Sequence, residues 1–422
     1  MLLVITVYSG IPILFNVLLL TIAAAAYLFP TKQKNVRKPP SSKGKESAQL
    51  DTIPVRPFVT AYRGGMMIIT CLAILAVDFK VFPRRFAKVE TWGTSLMDMG
   101  VGSFVFSAGV VSARPVLKAG LSGKAESAHV QLNSSVRTSL PLLVLGLIRL
   151  YSVKKVDYAE HVSEYGIHWN FFFTLAFLPP IVALIQPLPA AIRCWVLPYG
   201  LMAAYQLILN NTRLQAYILT AARTDLLSQN REGVFSFIGY LALFLYGQGV
   251  GLQVLPRTPY SAKASTSPRQ KRVFLLKLLS AWTLIYYLHY HWSTSVRFGL
   301  GIHPSRRLAN EPYVDWVVWF NLAQITLYCL VETLLIPGVY NATDKSAEQK
   351  QIERATSGVL KAFNRNGLAV FLLANLLTGL VNLSLDTLHM AVAGSMAVLS
   401  AYAFILTAVA VGLDRCNISI KL

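Results

Sequence analysis

Long apolar runs separated by short polar segments dominate the chain. Such runs occupy residues 2–29, 58–78, 94–113, 138–153, 167–186, 190–209, 233–254, 273–291, 313–335, 366–383 and 389–413. Most approach the roughly 20 residues with which an α-helix crosses a hydrocarbon core. The pattern therefore predicts an all-α fold, a polytopic transmembrane helical bundle of about eleven spans, with the whole of residues 1–422 as one integral-membrane domain. Pro12 interrupts the first run and makes it irregular. The start Met1-Leu2-Leu3-Val4 has no basic residues ahead of the run and no small-residue cleavage site before Pro30, so the first run is expected to be retained.

Composition fits this reading and alters one detail. Apolar residues make up 54% and charged residues 14%, with a mean hydropathy of +0.50. The 39 Lys and Arg against 19 Asp and Glu give a net charge of +20. In a soluble chain that excess would point to nucleic acid. Here the cations lie between apolar runs, where they set topology and meet anionic headgroups, and no nucleic-acid motif is present, so no nucleic-acid partner is expected. Cys71, Cys194, Cys329 and Cys416 stand singly, without the paired spacing of a disulfide framework or zinc site, and read as packing residues.

The cations also divide the loops into two sets. One set carries Lys32, Lys34, Arg37, Lys38, Lys43 and Lys45, then Arg114 to Arg137, Lys263 to Arg272, and Lys345 to Arg365. By the positive-inside rule these loops are cytosolic. Within them residues 31–57 and 257–272 have the Pro/Ser/Lys bias of linkers. The opposite set, Lys80–Glu90, Arg149–Tyr165, Asn210–Glu232, Arg297–Glu311 and Asn382–His389, is compact and rich in Arg, His, Asn, Glu and aromatics. Cations there work against the orientation rule, so the segments FPRRFAK, VKKVDYAEHVSEYGIHWN, SQNREG and IHPSRRLANEP read as retained for another purpose. Cations for phosphates beside apolar walls for acyl chains suit a phospholipid-like substrate. Two sequons, at Asn210 and Asn382, fall on the same side.

Asp78 ends the apolar stretch AILAVDF and is followed by Lys80, Arg84, Arg85 and Lys88. Pairing with Lys80 or Arg84 would give it a structural role. An unpaired carboxylate at the margin of hydrocarbon instead has a raised pKa and suits a proton acceptor. Arg84, Arg85 and Lys88 have the chemistry either to snorkel to headgroups or to bind a phosphodiester. His161, Glu164 and His168 are spaced by three and four and share a face if the segment is helical, with Tyr165 and Trp169 alongside. The spacing is not His-Glu-x-x-His and no further ligand cluster is evident, so no metal is expected. A hydrogen-bonded helix start and substrate contact both remain open for this segment. Asn230-Arg231-Glu232-Gly233 precedes another run, where Arg231 and Glu232 can pair. Gly100, Gly102 and Gly109, with Ser103 and Ser107, do not form a dinucleotide loop and read as close helix packing. The chain has no His-x-x-x-x-Asp, no G-x-S-x-G and no Walker loop, which disfavours soluble-type acyltransferases, α/β-hydrolases and ATP-driven pumps.

The blocks AYRGGMMIITCLAILAVDFKVFPRRFAKVETWGTSLMDMGVGSFVFS, HVSEYGIHWNFFF, NREGVFSFIGY, SRRLANEPY and LLANLLTGLVNLS together resemble the inositol acyltransferases of GPI-anchor biosynthesis, known in fungi as GPI-anchored wall transfer proteins. The resemblance runs from about Tyr62 to the C-terminal Ile-Lys-Leu. It implies a multi-pass enzyme of the endoplasmic reticulum membrane. Such an enzyme moves a fatty acyl group, usually palmitoyl, from acyl-CoA to the inositol ring of glucosaminyl-phosphatidylinositol. Acyl-CoA is a co-substrate, and no other cofactor is implied. The family's catalytic pair falls on Asp78 and Lys88. Relative to the family, about two N-terminal spans are expected to be missing from this chain.

On this reading Asp78 takes the proton of the inositol hydroxyl as it attacks the thioester, and Lys88 stabilises the developing oxyanion or holds a phosphate. Arg63, Arg84, Arg85, His161, Glu164, His168, Trp169, Asn170, Asn230 and Arg231 form the expected substrate-binding set. No Ser or Cys has the setting of a covalent nucleophile. A lipid scramblase or transporter with a cationic headgroup mouth is the alternative, disfavoured because no internal repeat with paired broken helices is visible.

Overall fold

The computed structural model describes residues 1–28, 50–122, 127–155, 162–262 and 267–420. It is helical throughout, with no strand among the described residues. Each expected apolar run falls on a helix: α1 (Pro12–Leu28), α2 (Pro57–Ala76), α3 (Leu96–Ser122), α4 (Ala128–Lys155), α5 (Phe171–Ile185), α6 (Ile192–Asn211), α7 (Arg231–Val254), α8 (Pro268–Thr294), α9 (Glu311–Leu335), α10 (Gly367–Ser384) and α11 (Val392–Arg415). Eight of them are long and apolar enough to cross a membrane, and α1 and α5 are shorter apolar helices. The chain is a polytopic helical membrane protein.

The first run is broken where Pro12 lies. A single helical turn, Leu2–Ile5, and a 3-10 turn, Val7–Gly10, precede α1. Elsewhere helices outlast their runs, because a polar first or last turn continues a helix once the apolar part is formed. The linker expected over 257–272 is one case: Ser267 caps α8 in a capping box with Gln270, so Pro268 to Arg272 are already its first turn. Residues 29–49, 123–126, 156–161, 263–266 and 421–422, which include His161 and most of the 31–57 linker, lie outside the described residues.

The chain forms two compact units whose boundary falls inside α2, at Met66–Met67. One comprises residues 1–50, 67–87 and 342–421. Its core joins the second half of α2 to α10 and α11, where the buried hydroxyl of Tyr402 donates to Cys71 O at 2.8 Å and lies 3.3 Å from Ala374 O. Arg365 closes its polar end on Asp414, at 3.1 Å, and on the Asn417 side chain.

The other unit comprises residues 51–66 and 88–341 and holds α3 to α9. Its centre is α3 packed on α7, and small residues set how close they come. A Cβ on Gly109 would stand 2.1 Å from Phe244 O, one on Gly247 2.1 Å from Phe106 O, and one on Gly251 2.2 Å from Val110 O. The two backbones are therefore in direct contact, as small residues permit in membrane helices. The expectation for the glycines of α3 holds at Gly109. Several polar groups inside this unit are paired. Tyr62 donates to Asn321 Oδ1, and Arg272 binds Glu332, whose other oxygen accepts Phe58 N at 2.9 Å.

This packing predicts a sharp contrast between two glycines. Gly247→Ala must drive the two helices apart or strain them, and should lower stability by about 1–3 kcal/mol. Gly120→Ala, whose Cβ would meet nothing within 4 Å, should be neutral or slightly stabilising. Thermal unfolding of both purified variants in detergent checks this, and equal melting temperatures would refute the packing argument.

Candidate active site

In the first unit the chain leaves α2 through a tight turn, with Asp78 N donating to Leu75 O at 3.2 Å and Phe79 N to Ala76 O at 3.1 Å. Phe79 and Phe82 are fully buried and pin the turn, after which Pro83 leads into the 3-10 turn Arg84–Phe86. Asp78 is half-buried and accepts one hydrogen bond, from Asn382 Nδ2 at 2.9 Å. Burial pushes its pKa above the ordinary carboxylate range, opposed by the Asn382 bond and the charge of Arg84. Arg84 and Arg85 are exposed; Arg84 donates to Val77 O at 3.0 Å and Arg85 to Ser9 O.

In the second unit Lys88 opens a chain of charges. Its Nζ is 2.7 Å from Glu164 Oε1, and the same oxygen lies 3.6 Å from Arg306 Nη2. Arg306 Nε in turn donates to Asp98 Oδ1 at 2.7 Å. Asp98 is completely buried in the first turn of α3, where its other oxygen accepts Ser95 Oγ at 2.6 Å and Val89 N at 3.1 Å. Burial works against the Arg306 guanidinium, but Glu164, Tyr240, Tyr165 and Asp98 outweigh it and hold the group charged, above its already high ordinary value. Arg306 Nη1 is buried with no hydrogen-bond partner among the described residues, so one donor near Glu164 is available to a ligand oxygen or water.

The segment before α5 is held by Asn230. Its Oδ1 accepts His168 N at 2.8 Å and Trp169 N at 2.9 Å, and its Nδ2 donates to Leu226 O at 2.9 Å. Gly166, at φ +113°, ends the one-turn helix Val162–Tyr165, and a Cβ there would stand 2.5 Å from Gln229 O. His168 therefore does not continue a helical face with Glu164, and the shared face expected from their spacing is not formed. Asn170 caps α5, accepting Phe172 N at 3.0 Å, and Trp169 Nε1 donates to Thr174 Oγ1 at 2.9 Å.

Arg231 also has internal work. It donates to Ile218 O at 2.8 Å and Ser228 O at 3.0 Å, capping carbonyls at the ends of two short helices. The pair expected between Arg231 and Glu232 exists at 3.7 Å, but the closer partners of the fully buried Glu232 are Arg223 at 2.6 Å and Arg307 at 2.8 Å. Arg63, within α2, donates to Ser107 Oγ of α3 at 3.0 Å.

The structure thus joins Lys88 to Glu164 and adds Asp98 and Arg306. It ties Trp169, Asn170, Asn230 and Arg231 chiefly into the scaffold, and His161 lies outside the described residues. Asn382 was read only as a sequon, although its side chain binds Asp78. The sequence signal for Arg306 and Arg307 was the flagged segment SRRLANEP; Asp98, inside the apolar block LMDMG, had none beyond its charge. The one group with metal-ligand geometry among the described residues is His289, Glu311 and Asp315, whose donor atoms all lie within 4.8 Å of one another.

The GWT1 family model matches residues 1–413. The chain belongs to the GWT1 family. Relatives of the GWT1 family named "GPI-anchored wall transfer protein 1" include that of Gibberella zeae, 52% identical over 433 residues, covering 100% of this chain and 86% of the relative. The Aspergillus fumigatus relative is 49% identical over 430 residues, covering 98% of this chain and 85% of its own. That of Saccharomyces cerevisiae is 40% identical over 444 residues, covering 100% and 87%.

Two ion pairs of this GWT1 chain should respond differently to mutation. Asp98→Asn removes the hydrogen-bonded counter-charge of the buried Arg306, leaving it only the more distant Glu164, and should cost about 3 kcal/mol. Lys88→Met breaks a pair whose lysine is 39% exposed, worth about 0–1 kcal/mol after screening by solvent. Chemical denaturation of both variants in detergent micelles separates the cases; an Asp98→Asn protein as stable as Lys88→Met would contradict them.

Proposed function

We propose that this chain is an acyl-CoA-dependent acyltransferase of GPI-anchor biosynthesis, acting on the inositol ring of glucosaminyl-phosphatidylinositol in the endoplasmic reticulum membrane. The names of its relatives support the pathway. The observation that carries the chemistry is Asp78: a half-buried carboxylate at the end of a membrane helix, hydrogen-bonded among the described residues only to a neutral amide, with its pKa raised. Such a group accepts a proton near neutral pH better than an ordinary aspartate does.

In the proposed step an inositol hydroxyl attacks the thioester carbonyl carbon. The C–O bond forms, the hydroxyl proton passes to Asp78, and the C–S bond breaks with CoA thiolate leaving and taking up a proton. Lys88 supports the negative charge that develops on the carbonyl oxygen. Exposed Arg84 and Arg85 attract phosphates, and Arg306 offers a donor near Lys88's partner Glu164. Residues such as Trp169, Asn170, Asn230 and Arg231 contribute by holding the loops that carry these groups.

Asp78→Asn keeps the shape and the hydrogen bond to Asn382 but removes the basic oxygen. Palmitoyl transfer from acyl-CoA to glucosaminyl-phosphatidylinositol should fall by about 10²–10⁴ while acyl-CoA binding and melting temperature survive. A normally folded Asp78→Asn enzyme with near-parental turnover would sink the assignment. Lys88→Arg keeps the charge but changes the shape of the donor, and should also be impaired.

The pH profile should carry the same signature. Burial favours the neutral form of Asp78, so the base becomes protonated, and activity is lost, as pH falls through a value above the ordinary carboxylate pKa of about 4. An acid limb of kcat/KM at or below that value would count against Asp78 as the base. The loop charges further place Thr31–Pro57 in the cytosol and Lys80–Glu90 in the lumen. A protease-site tag in the first segment should be cut in sealed microsomes and one in the second protected; the reverse pattern would invert the topology.

A further inference from the structure

We propose that His289, Glu311 and Asp315 form a binding site for a divalent cation of the zinc class where α8 and α9 pack together. The site uses none of the groups assigned to acyl transfer.

Its residues come from two helices. His289 lies near the end of α8, and Glu311 and Asp315 stand one turn apart in the first turns of α9, on one face of it. Asp315 Oδ2 is 2.6 Å from His289 Nδ1, and Glu311 Oε1 is 3.6 Å from His289 Nε2. The two carboxylates therefore address opposite nitrogens of one ring. Asp315 Oδ2 accepts a hydrogen bond from Nδ1–H and so favours the tautomer whose Nε2 lone pair is directed toward Glu311. A carboxylate that orients a histidine through its far nitrogen is the usual outer support of a metal-binding imidazole. Two ligands at the roughly 2.0–2.1 Å of zinc–nitrogen and zinc–oxygen bonds lie about 3.4 Å apart at a tetrahedral angle. The Nε2 to Oε1 separation of 3.6 Å is close to that value.

Glu311 supplies an independent reason. It is only 9% exposed, yet no hydrogen-bond donor among the described residues reaches its carboxylate, and 3.6 Å to Nε2 is too long for a hydrogen bond. No Lys or Arg pairs with Glu311 or Asp315 among the described residues. If His289 is protonated and satisfied by Asp315, Glu311 keeps an uncompensated charge in a membrane helix, a costly arrangement. A divalent ion between Nε2 and Oε1 supplies both the missing charge and the missing bond. The rings of Tyr199 and Trp292, centred 6.0 Å and 5.8 Å from the imidazole, flank it and are partly exposed, so the remaining coordination positions are open to water or a ligand oxygen.

The test uses the full chain purified in detergent, dialysed against EDTA and exchanged into buffer with zinc chloride. After gel filtration, mass spectrometry of the metal should find about one zinc per parent chain. Glu311→Gln and His289→Gln should each retain less than about a tenth of that, and Asp315→Asn should weaken the affinity by about 10–100-fold, as for a lost outer support. Added zinc should raise the melting temperature of the parent and not of Glu311→Gln. Glu311→Gln removes a charge with almost no change in volume, so it reads the site even if a histidine variant fails to fold. Parent protein that retains no more zinc than Glu311→Gln would overturn the proposal and leave a metal-free ion triad.

Discussion

The carboxylate of Asp98 is buried completely at the start of α3, and the arrangement around it fixes much of the second unit. A charge in that position is tolerable only with full hydrogen bonding and an opposite charge in contact. Asp98 obtains both from three separate stretches of chain: Ser95 beside it, the backbone of Val89 and the guanidinium of Arg306. Tyr313, from α9, donates to its carbonyl at 2.9 Å, and Gly93 N donates to Pro304 O at 2.8 Å nearby. The loop after Lys88 and the loop before α9 are thereby held to one another. Arg306, so placed, reaches Glu164, which reaches Lys88. The position of an exposed lysine is thus set by a pair that never meets solvent.

The same requirement explains why the cations between the helices differ in kind. Arg223, Arg231 and Arg307 turn their donors on Glu232 and on carbonyls such as Ile218 O, Ser228 O and Leu219 O. Their charge is used inside the protein, where helix ends leave carbonyls without donors. Arg84, Arg85 and Lys88 are exposed. The cations between the helices thus fall into two groups, one whose donors close the fold and one that stands at the surface.

Carboxylates divide in a comparable way. Asp98, Glu232 and Glu332 are buried, and each binds at least one guanidinium directly. Among the described residues Asp78 receives only the amide of Asn382, with the charge of Arg84 acting on it from beyond salt-bridge distance. Burial raises the pKa of Asp78, as the proposed proton transfer from a hydroxyl calls for.

By itself the sequence determined the fold class and the helices. Hydrophobic runs of spanning length leave a backbone in lipid no alternative but the helix, and every expected run became one. It also determined the break at Pro12 and the close packing at Gly109, because proline chemistry and a missing side chain are local facts. Tertiary structure alone decided the partners. Asp98 and Arg306 are 208 residues apart, and Asp78 and Asn382 are 304 apart, so no local pattern joins them. The spacing of Glu164 and His168 does not make a shared face for the complementary reason: Gly166 turns the chain to meet Gln229 and Asn230, a contact that lies 62 residues away in the case of His168 and is absent from any local period. His289, Glu311 and Asp315 likewise come together only because α8 and α9 pack side by side, which fixes the register between their ends.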